Sequence, residues 1–256
     1  MDGESGLNFN AFAAVLIICL FASILLMMTI GQRLAKRILA HEADVVRSRL
    51  TGVETAIFGL MSLMIAFSFS TSAARYEMRW GLVVAEANAI GTAYLRLDLL
   101  PESSQPVLRE KFRRYTEARI AVFHLLGDAK ESDAQAAIAT TLQSEIWAGA
   151  LAALKESPSQ MTVVVIPALN QMFDVAATRA VALHTHTPKL IFAVLLILGL
   201  TCSMLAGYAL ADTKTRYARI HLATFAVVVT LAIYVVFDLD YPRYGFIHIK
   251  FADRAL

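Results

Sequence analysis

Four long apolar runs punctuate the chain, at residues 11–30, 52–74, 190–211 and 220–237, and charged segments separate them. At about 1.5 Å of rise per residue, a run of roughly twenty residues crosses a hydrocarbon core of about 30 Å, so each run predicts a transmembrane helix. Between the second and third runs, residues 75–188 carry charges at helical spacing, broken by the turn formers PESSQP at 101–106, by 127–132 and by Ser157, Pro158 and Ser159. Only the last residues show a short strand-like alternation. The expected fold is therefore an all-α membrane protein: four transmembrane helices as two hairpins, with a helical soluble insert between helices 2 and 3, forming a single domain over 1–256. The segment before the first run is acidic rather than basic and the run is long, which predicts a retained helix rather than a cleaved leader.

The second run is the axis of this pattern, because it passes without a proline into the charged sequence at Arg75, Glu77 and Arg79. One rod is thus expected to join the bilayer to the insert. Its membrane half divides into three faces: Leu60, Leu63, Met64 and Phe67; then Gly59, Ser62, Ala66, Ser70 and Ala73; then Phe58, Met61, Ile65 and Phe69. A face made only of small residues allows close helix approach and predicts a protein neighbour there. The third run carries a second such seam, Gly199, Ser203 and Gly207.

Composition agrees with a membrane class: 57% of residues are hydrophobic, and a net charge of +2 gives no reason to expect nucleic acid as a partner. Cys19 and Cys202 both fall in apolar runs and read as small buried hydrophobes. Residues 32–51 mix Arg33, Lys36, Arg37, His41, Glu42, Asp44, Arg47 and Arg49 with apolar residues, as an amphipathic connector at the membrane surface or the solvated end of a helical hairpin would. The short connections hold eight basic residues (Arg33, Lys36, Arg37, Arg47, Arg49, Lys214, Arg216, Arg219) against seven near membrane ends on the other side (Arg75, Arg79, Arg179, Lys189, Arg243, Lys250, Arg254). That difference leaves the side of the insert open, with a slight lean toward the outside.

No phosphate-binding loop, metalloprotease, nucleophile-elbow, paired-cysteine or dinucleotide fingerprint occurs, so no enzyme class, cofactor or metal is expected. His184 and His186 flank Thr185, and residues two apart on a helix do not share a face, which argues against joint metal ligation; their titration range would suit a pH sensor. The polar residues that stand out are Arg75, Glu77, Arg79, Asp238, Asp240 and Arg243 near membrane exits, and Glu86, Asn88, Asp98, Asn170, Asp174 and Arg179 as a polar cluster of the insert. Charges at membrane exits can select ions at a pore mouth, or can pair to pin helix ends. Arg75 and Arg79 are expected to face acids drawn from Glu86, Asp174, Asp238 and Asp240; Asp238, Asp240 and Arg243 could pair locally, and Asp174 and Arg179 could pair across helices.

Four blocks, AFSFSTSAARYEMR, EANAIGTAYLRLDLLP, PALNQMFDVAATR and DLDYPRYG, together resemble the bestrophin-like family of bacterial and plant membrane proteins. A more distant resemblance links that family to true bestrophins, which are pentameric anion channels: Phe67 precedes Arg75 and Tyr76 much as a Phe precedes Arg-Trp at the end of the bestrophin second segment. On that anchor the three apolar neck positions fall on Gly59, Leu63 and Phe67, with Gly59 departing from the pattern. DYPRYG resembles the acid-then-Pro-Phe-Gly turn of bacterial bestrophins, whereas the acidic run that binds calcium in animal bestrophins is missing. The resemblance implies a cytoplasmic insert and cytoplasmic termini. It also implies a multi-pass protein of the cell (inner) membrane, in contact with lipid, that forms a homo-oligomer with a pentamer favoured and conducts inorganic ions, anions above all. A non-conducting membrane scaffold or sensor whose insert binds a partner is the reading from another class.

Overall fold

The computed structural model describes residues 2–38, 44–125, 129–211 and 216–241. Among these residues are seven α-helices and no strand: α1 (Asp2–Ile38), α2 (Asp44–Leu95), α3 (Gln105–His124), α4 (Ala129–Leu154), α5 (Ser159–His184), α6 (Lys189–Ala209) and α7 (Arg216–Asp240). A 3₁₀ turn at Arg96–Leu99 follows α2. Prolines mark the helix starts: Pro106 lies in the first turn of α3, and Pro158 and Pro188 immediately precede α5 and α6, where a missing N–H costs nothing. The described residues form two compact units, one from those up to Tyr76 together with those from His186 onward, and one from those between Glu77 and Thr185.

The first unit holds α1, the membrane half of α2, α6 and α7. Its tightest crossing joins α1 to α6: a Cβ on Gly31 would lie 2.0 Å from the Met204 carbonyl oxygen, and one on Gly207 would lie 2.1 Å from that of Met28. Only glycine permits backbones this close, and Ile24, Met28, Leu195 and Cys202 fill the surrounding core. Gly199 receives Ile233 of α7, and Phe58 of α2 meets Phe225 of α7 edge to face at 5.8 Å. The seam on α6 thus packs inside the unit. The small-residue face of α2 does not: Gly59, Ser62, Ala66 and Ser70 are exposed, and the opposite side of the helix, through Phe58, Met61 and Ile65, meets the core instead.

The second unit is built from α2 beyond Glu77, the 3₁₀ turn, α3, α4 and α5. Leu97, Phe112, Tyr115, Ile146, Leu169 and Met172 form its core. Gln143 donates to the buried Tyr115 hydroxyl at 3.2 Å, while burial pushes that hydroxyl above the usual tyrosine range. Pro167 inside α5 has no N–H for the carbonyl four residues back and disturbs the preceding turn. Nearby, the Val164 carbonyl accepts a bond from Arg96 Nη1 at 2.6 Å, which ties the turn after α2 to α5.

Three expectations are refined. Five described helices are long and apolar enough to cross a membrane, the fifth being α5 over Ser159–Leu183. The apolar content that qualifies it is spent in part on the core of the second unit, through Val165, Leu169, Met172 and Val175. Of the two readings of 32–51, the helical hairpin end agrees with the described residues, in which α1 continues to Ile38 and α2 starts at Asp44. The loop expected at 127–132 ends earlier, since α4 begins at Ala129 and Ser132 Oγ donates to the Val122 carbonyl at 3.0 Å. Residues 39–43 and the alternating run after Tyr241 lie outside the described residues.

Candidate functional site

α2 presents two opposite faces along its length. The inner one recurs every three or four residues, through Met61, Ile65, Ser68, Ser72, Arg75, Arg79, Val83, Glu86, Ile90 and Ala93, all buried or half-buried. This is the spacing of a helix seam that stays turned toward one side, and polar residues occupy its middle. The outer face, through Gly52, Ala56, Gly59, Leu63, Ala66, Phe67, Ser70, Ala74, Glu77, Gly81, Asn88, Gly91 and Leu95, is exposed throughout. Side chains at Gly59 and Gly81 would meet nothing within 4 Å, and Leu63 and Phe67 are 51% and 61% exposed. The face that carries Gly59, Leu63 and Phe67 is therefore not packed by the helices of its own chain.

The inner face carries one polar node in each unit. In the first, the Asp240 carboxylate at the end of α7 is fully buried; its Oδ1 accepts from Arg75 Nε at 2.8 Å and from Thr187 Oγ1 at 3.0 Å, and its Oδ2 from the Thr187 backbone N–H at 2.9 Å. Arg75 also donates to Thr187 Oγ1 and, at 3.2 Å, to Ser72 Oγ. A charged pair at such burial is favourable only with its remaining hydrogen bonds made, and Thr187 and Ser72 make them. Asp238, also buried, accepts from Tyr234 Oη at 3.3 Å. Of the acids named as partners for Arg75, Asp240 is the one it meets; Arg243 lies outside the described residues.

In the second unit, Glu86 takes two guanidiniums, Arg119 Nε at 2.5 Å and Arg179 Nη1 at 2.6 Å, with all three side chains almost wholly buried. Arg119 also donates to the Ala176 carbonyl at 3.3 Å, and both arginines lie against the Phe123 ring, Arg179 at 3.3 Å from its centroid. This node ties α2, α3 and α5 together. Arg79, expected to face an acid, donates to the Ala182 and Thr185 carbonyls at 3.3 and 2.8 Å. The end of α5 leaves carbonyls without intrahelical donors, and a cation suits the negative end of a helix.

The insert cluster expected from sequence divides accordingly. Glu86 and Arg179 come together; Asn88, Asn170 and Asp174 are exposed, and exposed Asp98 pairs with Arg109. Arg179 therefore pairs with Glu86 across helices, where Asp174 had been its candidate. Arg119 and Thr187 were not singled out from the sequence. Arg119 had a legible signal, since it continues the buried stripe Leu108, Phe112, Tyr115 and Val122 of α3, an unusual place for an arginine without a partner. Thr187 had none, because nothing local marks a threonine between two helices as the partner of an aspartate 53 residues on. Among the described residues, no three His, Cys, Asp or Glu side chains are grouped to hold a metal.

Described elements that are helical throughout, several of them of membrane-crossing length and apolarity, define a helical membrane protein. Comparison with protein families matches the Bestrophin-like domain over residues 14–252, and the chain belongs to that family. No match was found among curated proteins or among solved structures.

Proposed function

We propose that the protein is a homo-oligomeric ion channel of the cell membrane, with anions as the permeant ions and the outer face of α2 lining the axis. Four transmembrane helices, 11–30, 52–74, 190–211 and 220–237, carry each subunit in this reading, and residues 75–188 form the insert. The observation that carries it is the uncovered outer face of α2, rich in glycine and other small residues and opposite a seam that is buried along the same helix. A glycine inside a helix costs about 1 kcal/mol relative to alanine, so several on one uncovered face call for a reason outside the single chain. One helix from each of several subunits around an axis supplies that reason, and membership of a channel-like family supports it.

In this arrangement Leu63 and Phe67, four residues apart, present successive apolar rings, and Gly59 leaves a wider ring above or below them. Apolar rings gate by dewetting, and aromatic edges carry partial positive charge that favours anions over cations. Five subunits are favoured by the family resemblance alone. The mass of the assembly in mild detergent and in nanodiscs, followed by chloride and sodium flux into liposomes, tests the proposal. A ring of identical subunits that passes chloride is expected. A monomer in both media contradicts it, and an oligomer that passes neither ion favours the scaffold or sensor reading.

A further inference from the structure

The segment Thr185 to Pro188 between α5 and α6 is not helical; Arg79 donates to its Thr185 carbonyl, and Asp240 receives its Thr187. The Thr187 N–H and hydroxyl both donate to the buried Asp240 carboxylate, the same carboxylate that receives Arg75. Among the described residues the chain leaves the first unit after Tyr76 and returns to it at His186, and Asp240 anchors a residue beside each of these places. His186 lies on this anchor. Its Nδ1 is 3.3 Å from the Asp240 carbonyl oxygen and 3.9 Å from Asp240 Oδ2, its ring stacks on Tyr241 with centroids 4.4 Å apart, and about a third of the side chain reaches solvent.

We infer that His186 makes this anchor a proton-controlled latch, in which acid tightens the hold of Asp240 on the segment that precedes α6. An imidazole ordinarily titrates near pH 6.5, within reach of physiological change. In the docked segment a protonated ring donates from Nδ1 to the Asp240 carbonyl and is attracted to the carboxylate beside it; in the undocked segment both interactions are gone. Protonation therefore favours the docked form, and the gain fades as the ring loses its proton on the way to neutral pH. The groups that face the ring are consistent with this sign. Among the described residues, α7 and its end contribute the Asp240 carboxylate and the Tyr241 ring, and α2 contributes Arg75, which is bound through Asp240 Oδ1. Lys189 at the start of α6 is exposed. Partial access to solvent lets the proton exchange without unfolding the anchor.

The inference concerns the docking of one segment and holds whether or not the assembly conducts. Hydrogen exchange of the full chain in nanodiscs tests it directly, because the Thr187 amide is itself the latched donor and Pro188 contributes no amide. After correction for intrinsic exchange rates, opening at Thr187 is expected to be about twofold to fivefold rarer at pH 5.5 than at pH 7.5, the direction that tighter proton binding in the docked form requires. In His186→Gln, which keeps a polar side chain but cannot charge, that ratio is expected to fall to about one. Asp240→Asn, checked first for unchanged assembly mass, is expected to remove it as well, since the attraction needs the carboxylate. Equal opening at both pH values in the unmodified chain, or an undiminished ratio in His186→Gln, overturns the latch.

Discussion

At the scale of single residues, the buried charges carry the sharpest consequences. Glu86 holds two guanidiniums away from water, so Glu86→Ala leaves both without the carboxylate that compensates them. Breaking a buried pair from one side costs about 3 to 5 kcal/mol, far more than any exposed pair on the same unit. A melting temperature lowered by several degrees or more is expected, whereas Asp98→Ala, which removes an exposed partner of Arg109, is expected to move it hardly at all. If the two variants melt alike, the Glu86 node does not organise the second unit. The first unit offers a parallel case. Asp240 is fully buried and Arg75 partly so, and Arg75→Ala is expected to destabilise the chain while leaving Thr187 as the remaining donor.

At the scale of elements, glycines on two helices are expected to respond in opposite directions to an added side chain. Gly207 sits where α6 meets the backbone of α1, and Gly207→Val would push a branched side chain into the Met28 carbonyl. Loss of the folded protein during purification is the expected outcome. Gly81 lies on the uncovered face of α2, and Gly81→Ala should instead raise the stability of the single chain by about 1 kcal/mol through helix propensity, read as a higher melting temperature. A stable Gly207→Val protein would contradict the close crossing of α1 and α6.

These helices also show what was legible beforehand. Long apolar runs and proline punctuation reveal most elements, because bilayer length and the missing proline N–H act locally. Which face of α2 turns inward was not legible, since its buried seam contains Ser72, Arg79 and Glu86 and so looks like a solvated face until Asp240, α5 and the two arginines are in place. Gly31 escaped notice for a related reason: a lone glycine beside charged residues gives no stripe, and its importance comes entirely from Met204 on a distant helix. Arg79 was assigned an acidic partner because charge pairing is the commonest expectation for a buried arginine. The end of α5, with its carbonyls turned outward, supplied acceptors that no sequence pattern displays.

At the scale of the whole molecule, the account rests on the outer face of α2 looking at an axis shared by several subunits. Because Leu63 and Phe67 are exposed within the chain, shortening Phe67 removes little packing inside it, and the cost of about 3 to 5 kcal/mol that a fully packed phenylalanine would carry does not apply. The measurement that bears most directly on this is chloride and sodium flux into liposomes carrying either the unmodified protein or Phe67→Ala. The expected result is chloride flux above sodium flux in the first and a larger chloride flux in the second, with melting temperature and assembly mass unchanged. A Phe67→Ala protein that melts markedly lower and passes no more chloride than empty liposomes would place Phe67 in a packed interface and contradict the proposed neck.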